Sequence, residues 1–195
     1  MEITGTDFDH PTGTTGTVRA WPTGTYVNLL DPQPATIHVV DVAQALANIC
    51  RFGGHLPSHY SVAEHSLHVA AQLWRITGSP ALALAKAGLV HDAAEAYGDM
   101  VRPLKHSGEL DAYKVFEARM DAVICTRFGI HPADFHHPDV DQADKAILPW
   151  EMAMIRDAPW RTPTPVGDVV AGFLAAFERY GLLAHEWVSG CAGQL

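Results

Sequence analysis

The chain is short of cysteine, of cations and of long apolar runs, and each shortage excludes something. It has 3 cysteines in 195 residues, an odd number that cannot close into a disulfide framework. Cys50 and Cys125 fall within apolar helical patterns, so reduced core thiols of a cytoplasmic protein are expected. Cys191 lies in a tail of small residues and carries no signal. Lys and Arg number 13 against 22 Asp and Glu, a formal net charge of −9. Tracking a nucleic-acid backbone needs clustered Lys and Arg, so that partner is not expected, although a metal and a few local cations would still hold an anionic small molecule. The longest aliphatic segment, 81–90, is broken by Lys86, and no basic stretch followed by an apolar run opens the sequence. Neither a signal peptide nor a membrane span is expected. Internal repeats are also lacking, and the only compositional bias is one toward Thr and Gly near the start.

What remains is globular in composition, 48% hydrophobic and 18% charged, and long enough for one domain with a substantial core. The first 35 residues are rich in Thr, Gly and Pro. Two β-leaning pieces, 17–21 and 25–30, flank Pro22-Thr23-Gly24 and read as a small hairpin. After Pro34 the apolar period settles near that of an α-helix. Val42, Leu46, Ile49 and Cys50 form a first stripe, stopped by Gly53-Gly54. Ser61 with Glu64 is a capping-box signature, and Val62, Val69, Leu73 and Ile76 follow as a core face. Ser79-Pro80 opens a third helix through Leu84, Gly88, Leu89 and Asp92. Ser107 is expected to cap a fourth, with Leu110, Phe116, Met120, Val123 and Ile124 inward until Gly129. A fifth runs from about Pro138 with Val140, Ile147, Leu148 and Ile155 on one face. After a Pro-rich linker at 159–165, Val169, Phe173, Phe177 and Tyr180 mark a last helix. The expected fold class is all-α, a helical bundle (36–185) behind an extended and hairpin lead-in (1–35) and before a tail (186–195).

Several polar residues sit where this scheme puts core. His65 lies one turn before Val69, and Asp144 lies four residues after Val140 and three before Ile147, so both face inward. His91 and Asp92 would leave the third helix about 100° apart, as two neighbouring ligands of one ion could. Taken singly, such residues are more often hydrogen-bonded core histidines or buried ion-pair partners. Together they bring nitrogen and oxygen donors from three helices to one interior, a set suited to Mn, Co, Fe, Ni or Zn rather than to a thiolate site. Four protein ligands leave coordination positions open for water and a phosphate oxygen.

The succession His65, His91-Asp92, Asp144 resembles the H…HD…D signature of the HD-domain metal-dependent phosphohydrolases. It is most similar to the mononuclear branch that includes bacterial 5′-deoxynucleotidases and phage-type deoxynucleoside triphosphohydrolases. The strings that carry the resemblance are Cys50-Arg-Phe-Gly-Gly-His55, Tyr60-Ser-Val-Ala-Glu-His-Ser66, His91-Asp-Ala-Ala-Glu95, Gly98-Asp99, Pro103-Leu-Lys105 and Gln142-Ala-Asp144. The HD dipeptide is common; six strings in this order are specific.

The resemblance implies an HD phosphohydrolase domain with one divalent metal on His65, His91, Asp92 and Asp144. It implies proton handling by Glu95 and Asp99, one as base and one as acid, with the assignment open. Arg51 and Lys105 match positions that hold substrate phosphate, with Phe52, Gly54 and His55 beside them as further substrate contacts. His59, Arg102 and Lys145 are additional candidates near the same strings. His131, His136 and His137 raise a second metal, as in binuclear relatives, which the Ala-Ala-Glu after His91-Asp92 disfavours. His10, His38, His68, His106 and His185 belong to no constellation. The implied activity is removal of 5′-phosphates from purine nucleotides or deoxynucleotides, leaning to triphosphohydrolysis. The alternatives are a 5′-nucleotidase on monophosphates, including modified ones in nucleoside-antibiotic biosynthesis, a di-iron oxygenase, or a non-catalytic nucleotide sensor. Mg accompanying the substrate phosphates and self-association are further implications.

Overall fold

A computed structural model describes residues 16–78, 82–105, 107–156 and 162–181. The expected helix start at Ser79-Pro80, His10, His106, His185, Cys191 and the 186–195 tail lie outside the described residues. The fold is all-α with a short N-terminal β-hairpin, as the sequence pattern predicts. Strands β1 (Thr17–Arg19) and β2 (Tyr26–Asn28) pair antiparallel with Val18 opposite Val27. Helices α1 (Val39–Asn48), α2 (Val62–Thr77), α3 (Leu82–Val90), α4 (Arg102–Lys105), α5 (Asp111–Phe128), α6 (Pro132–Phe135), α7 (Pro138–Arg156) and α8 (Val166–Arg179) follow. Three-residue-per-turn segments lie at Pro34–Thr36, Arg51–Gly54 and Ala93–Tyr97. Among the described residues no helix is long and apolar enough to cross a membrane.

Helix α2 is the central element and packs on α7, α3, α8 and α1. Its start follows the capping signature: the Ser61 hydroxyl accepts from the Glu64 N–H at 3.1 Å. The carboxylate of Glu64 accepts from the Thr164 hydroxyl at 2.9 Å, tying the approach to α8 onto the first turn of α2. Val62, Val69 and Leu73 are buried beside Leu46, Leu89, Ile124, Phe173 and Phe177 in one core. The hairpin is held against α1 by buried Asp41, whose carboxylate accepts from the Thr23 backbone N–H at 2.9 Å and from its hydroxyl. Val27 is fully buried as a result.

Three boundaries differ from the periodicity. Cys50 is not helical; it forms an isolated antiparallel bridge with Ser61 just beyond α1. Helix α3 stops at Val90, and the His91 ring nitrogen Nδ1 donates to the Gly88 carbonyl at 2.9 Å, meeting a carbonyl at the helix end. His91 and Asp92 therefore sit in a turn rather than on a helix. Ser107 does not cap α5, which begins at Asp111 after Leu110. The Ser107 hydroxyl donates to the Leu104 carbonyl and accepts from the Glu109 N–H, closing the preceding loop. Cys125 is buried, as expected of a core thiol.

Candidate metal centre

The core of α2, the turn after α3 and the inner face of α7 meet at one point. His65 Nε2 is 3.3 Å from His91 Nε2, 3.1 Å from Asp144 Oδ1 and 3.6 Å from Asp92 Oδ2. His91 Nε2 is in turn 3.3 Å from Asp92 Oδ2. His65, His91 and Asp92 place one ligand atom each within 4.8 Å of one another, a group positioned to bind a metal ion. Asp144 approaches the same point from α7, beside His65.

The hydrogen bonds of the two rings fix their tautomers. A carbonyl can only accept, so the Gly88 contact puts the proton of neutral His91 on Nδ1. His65 Nδ1 lies 2.8 Å from the Glu151 carboxylate and likewise donates. Both Nε2 atoms then present lone pairs to each other and to two carboxylate oxygens. Four acceptors facing one another below 4 Å repel unless a cation or a proton lies among them, and this donor set fits a divalent ion. Without an ion the cluster draws in a proton. Burial opposes charge on His91, but the adjacent Asp92 and then Asp144 outweigh it and raise its pKa to about 9. Burial likewise acts to raise the Asp92 pKa, yet His91, His65 and Arg51 hold it well below the usual carboxylate range.

Glu151 is not among the residues that the sequence motifs single out. It is fully buried and accepts from His65 through Oε1 and from an Arg51 guanidinium nitrogen at 3.2 Å through Oε2. The second fork of Arg51 reaches Asp92 Oδ2 at 3.5 Å. A signal for it exists in the sequence: Val140, Ala143, Ile147 and Glu151 recur at helical spacing on α7. Glu151 is thus a carboxylate on an apolar stripe, the same anomaly that marks Asp144.

Glu95 lies in the segment Ala93–Tyr97, buried, with the Lys105 ammonium 3.0 Å away. Burial first, then Asp92 and Asp99, raise its pKa to about 7 against the opposing pull of Lys105. Lys105 also contacts Glu117 of α5 at 2.7 Å. Asp99 is exposed and acts on Glu95 through its field. The structure thus brings Arg51 and Lys105 to the site, each already engaged by two carboxylates. Phe52 adopts a positive φ of 57° with the Arg51 guanidinium 5.6 Å from its ring centre, and Gly53 and Gly54 continue the left-handed turn. Gly53 faces Val101, where an added Cβ would come within 2.9 Å of a valine methyl. Gly54 and His55 occupy the exposed end of that turn. Arg102 is 60% exposed, 3.9 Å from Asp144 Oδ2. Lys145 pairs with Asp141 on the outer face of α7. His131 and His137 accept from the backbone N–H groups of Ala133 and Asp139, acting as local caps. His68, expected to belong to no constellation, stacks on Tyr60 and shares a hydrogen bond with its hydroxyl at 3.0 Å.

The chain is 42% identical over 97 residues to the uncharacterized protein YfdR of Escherichia coli (strain K12), covering 49% of each chain. It is 37% identical over 119 residues to an uncharacterized protein of Rhodobacter capsulatus, covering 57% of this chain and 60% of that one. It thus spans about half of the first and three fifths of the second of these curated relatives. No protein-family model matches the chain.

Proposed function

We propose that the chain is an HD-type, divalent-metal-dependent phosphohydrolase that removes 5′-phosphate groups from purine nucleotides or deoxynucleotides, with triphosphates as the favoured substrates. The observation that carries this reading is the convergence of His65 Nε2, His91 Nε2, Asp92 Oδ2 and Asp144 Oδ1, with Glu95 on the adjacent turn. His65, His91, Asp92 and Asp144 would hold the ion, and Co, Mn, Fe, Ni and Zn all suit two imidazoles and two carboxylates. Bound there, a divalent cation supplies Lewis acidity toward phosphoryl oxygens and toward water.

The chain's own residues do the rest. Glu95, with a pKa of about 7, is divided between its two protonation states near neutrality and can exchange a proton with an attacking water or a leaving group. Asp99, exposed at the rim, is the second proton handler. Lys105 is the counter-charge that keeps Glu95 from being neutralised by burial alone. An incoming phosphate would share Arg51 and Lys105 with their carboxylates, and Arg102 stands exposed on the open side beside Asp144. Positioning and charge stabilisation of this kind are what phosphoryl transfer chiefly requires.

The test is a panel of nucleoside mono-, di- and triphosphates incubated after reconstitution with each metal, with and without added Mg, and products identified by mass spectrometry. Nucleoside plus tripolyphosphate is the expected outcome. Loss of a single phosphate from monophosphates would establish the 5′-nucleotidase alternative, and no product with any nucleotide would refute the reading. Asp92→Ala is expected to lose metal and activity together; activity retained with metal bound normally would remove Asp92 from the ligand set.

A further inference from the structure

The geometry points to Glu151 as a positioning residue of the metal centre, acting through His65 and, by way of Arg51, through Asp92. It rests on the metal-centre part of the reading above but not on the phosphohydrolase part. Glu151 is seven residues beyond Asp144 on α7, two turns along the same face, and is fully buried. Its Oε1 accepts from His65 Nδ1 at 2.8 Å, and its Oε2 accepts from Arg51 at 3.2 Å. A buried carboxylate is costly unless its lone pairs are met, and here donors on His65 and Arg51 meet both of its oxygens.

Two consequences follow for the ligands. The proton of His65 is drawn to Nδ1, which leaves Nε2 with its lone pair toward His91, Asp92 and Asp144, and the ring cannot turn without abandoning Glu151. Arg51, held by Glu151 on one fork, presents the other to Asp92 Oδ2 at 3.5 Å and orients that carboxylate. His65, Glu151, Arg51 and Asp92 therefore form a chain of contacts that begins and ends on ligand residues. Arg51 in this arrangement is part of the support of the ligands, with its side chain only 18% exposed, and any hold it takes on phosphate is additional to that part.

The experiment is Co(II) binding to the full chain in the absence of nucleotide, measured by chelator competition and by the visible absorption of the bound ion. Glu151→Gln keeps the shape but loses the charge and turns an amide N–H₂ toward Arg51 or His65. A roughly 10- to 100-fold weaker Co(II) affinity is expected, the usual effect of removing a group that orients a ligand, together with an altered absorption band and an unchanged helical circular dichroism spectrum. Arg51→Lys is the second variant, in case Glu151→Gln fails to fold. It keeps the charge but loses the fork, and weaker Co(II) binding is expected again. Wild-type Co(II) affinity and spectrum in folded Glu151→Gln would overturn the inference while leaving the metal site intact. So would unchanged Co(II) binding by Arg51→Lys with a raised KM for nucleotide. Failure of the wild-type chain to bind Co(II) would overturn the metal centre itself.

Discussion

At Gly88 the helix that leads into His91 lies tightly against the one that carries His65, and replacing this glycine by alanine probes how closely they are fitted. A Cβ built there falls 2.2 Å from Leu73 Cδ1, while the nearest backbone atom, Ala70 Cα, is at an ordinary 3.8 Å. Carbon contacts settle near 3.5–4.0 Å, so Leu73 must yield by roughly 1.3 Å or more. Leu73 is fully buried and has no solvent to rotate into. Overpacking of this kind costs about 1–3 kcal/mol, and the better helix propensity of alanine returns at most about 1 kcal/mol. Taking the middle of the overpacking range, about 2 kcal/mol, the expected net loss is about 1–2 kcal/mol, a fall in Tm of roughly 2–8 °C for a chain of this size. Urea unfolding of the apo protein measures it, with an unchanged m value as the check that only stability has moved. Leu73→Ala alone should lose about 2–5 kcal/mol by leaving a cavity. In the double variant the methyl introduced by Gly88→Ala enters that space, so the combined loss should fall short of the sum by about 1–3 kcal/mol. Co(II) affinity gives a second readout, because pushing α3 from α2 separates His91 from His65. A Gly88→Ala chain as stable as wild type, or a strictly additive double variant, would refute the reasoning.

Metal removal should be visible in stability: Co(II) at about 100 times its Kd should raise unfolding free energy by about 2.7 kcal/mol, and a chelator should abolish the gain; an unfolding midpoint indifferent to both contradicts the site. Glu95, raised to about 7, gains its proton as pH falls through that value. If it acts as the base, kcat/KM should decline below about pH 7, and a decline unchanged in Glu95→Gln would assign that limb to another group. Asp121 is raised to about 7 by burial, then by Glu117 and Asp92. Its folded form therefore holds a proton that the unfolded chain, with a pKa near 3.8, has lost. Its contribution is fully present below about pH 4 and lost as pH rises through 7, so Asp121→Asn should raise Tm at pH 8 and change it little at pH 4; equal gains at both pH values would contradict the sign.

The residues of the candidate metal centre were legible because each breaks a pattern: His65 and Asp144 are polar residues on apolar faces, and His91-Asp92 follows directly on the apolar run of α3. Helices α2 and α7 were legible for the same reason, from a cap and a stripe. The end of α3 was not, since periodicity continues past Val90, and the bond of the His91 ring to the Gly88 carbonyl depends on a side-chain conformation that spacing does not reveal. Cys50 fits a helical stripe equally well and is diverted by pairing with Ser61. The roles of Arg51 and Lys105 depend on which carboxylates reach them from Glu151, Asp92, Glu95 and Glu117. That is a matter of long-range packing, which local spacing does not encode.

The contact between Arg51 and Glu151 joins residues 100 positions apart, and this has a bearing on how the chain is made. Until α7 leaves the ribosome, Arg51 lacks one of its two carboxylates and the inner nitrogen of His65 lacks its acceptor, so closing the interior around α2 would strand a charge and a donor. An interior closed before α7 docks would leave these groups unmet, and their pairing is completed only when the carboxylates of Asp144 and Glu151 arrive. If the site takes up an ion, uptake should wait on the docking of α7, because Asp144 and Glu151 both arrive on that helix.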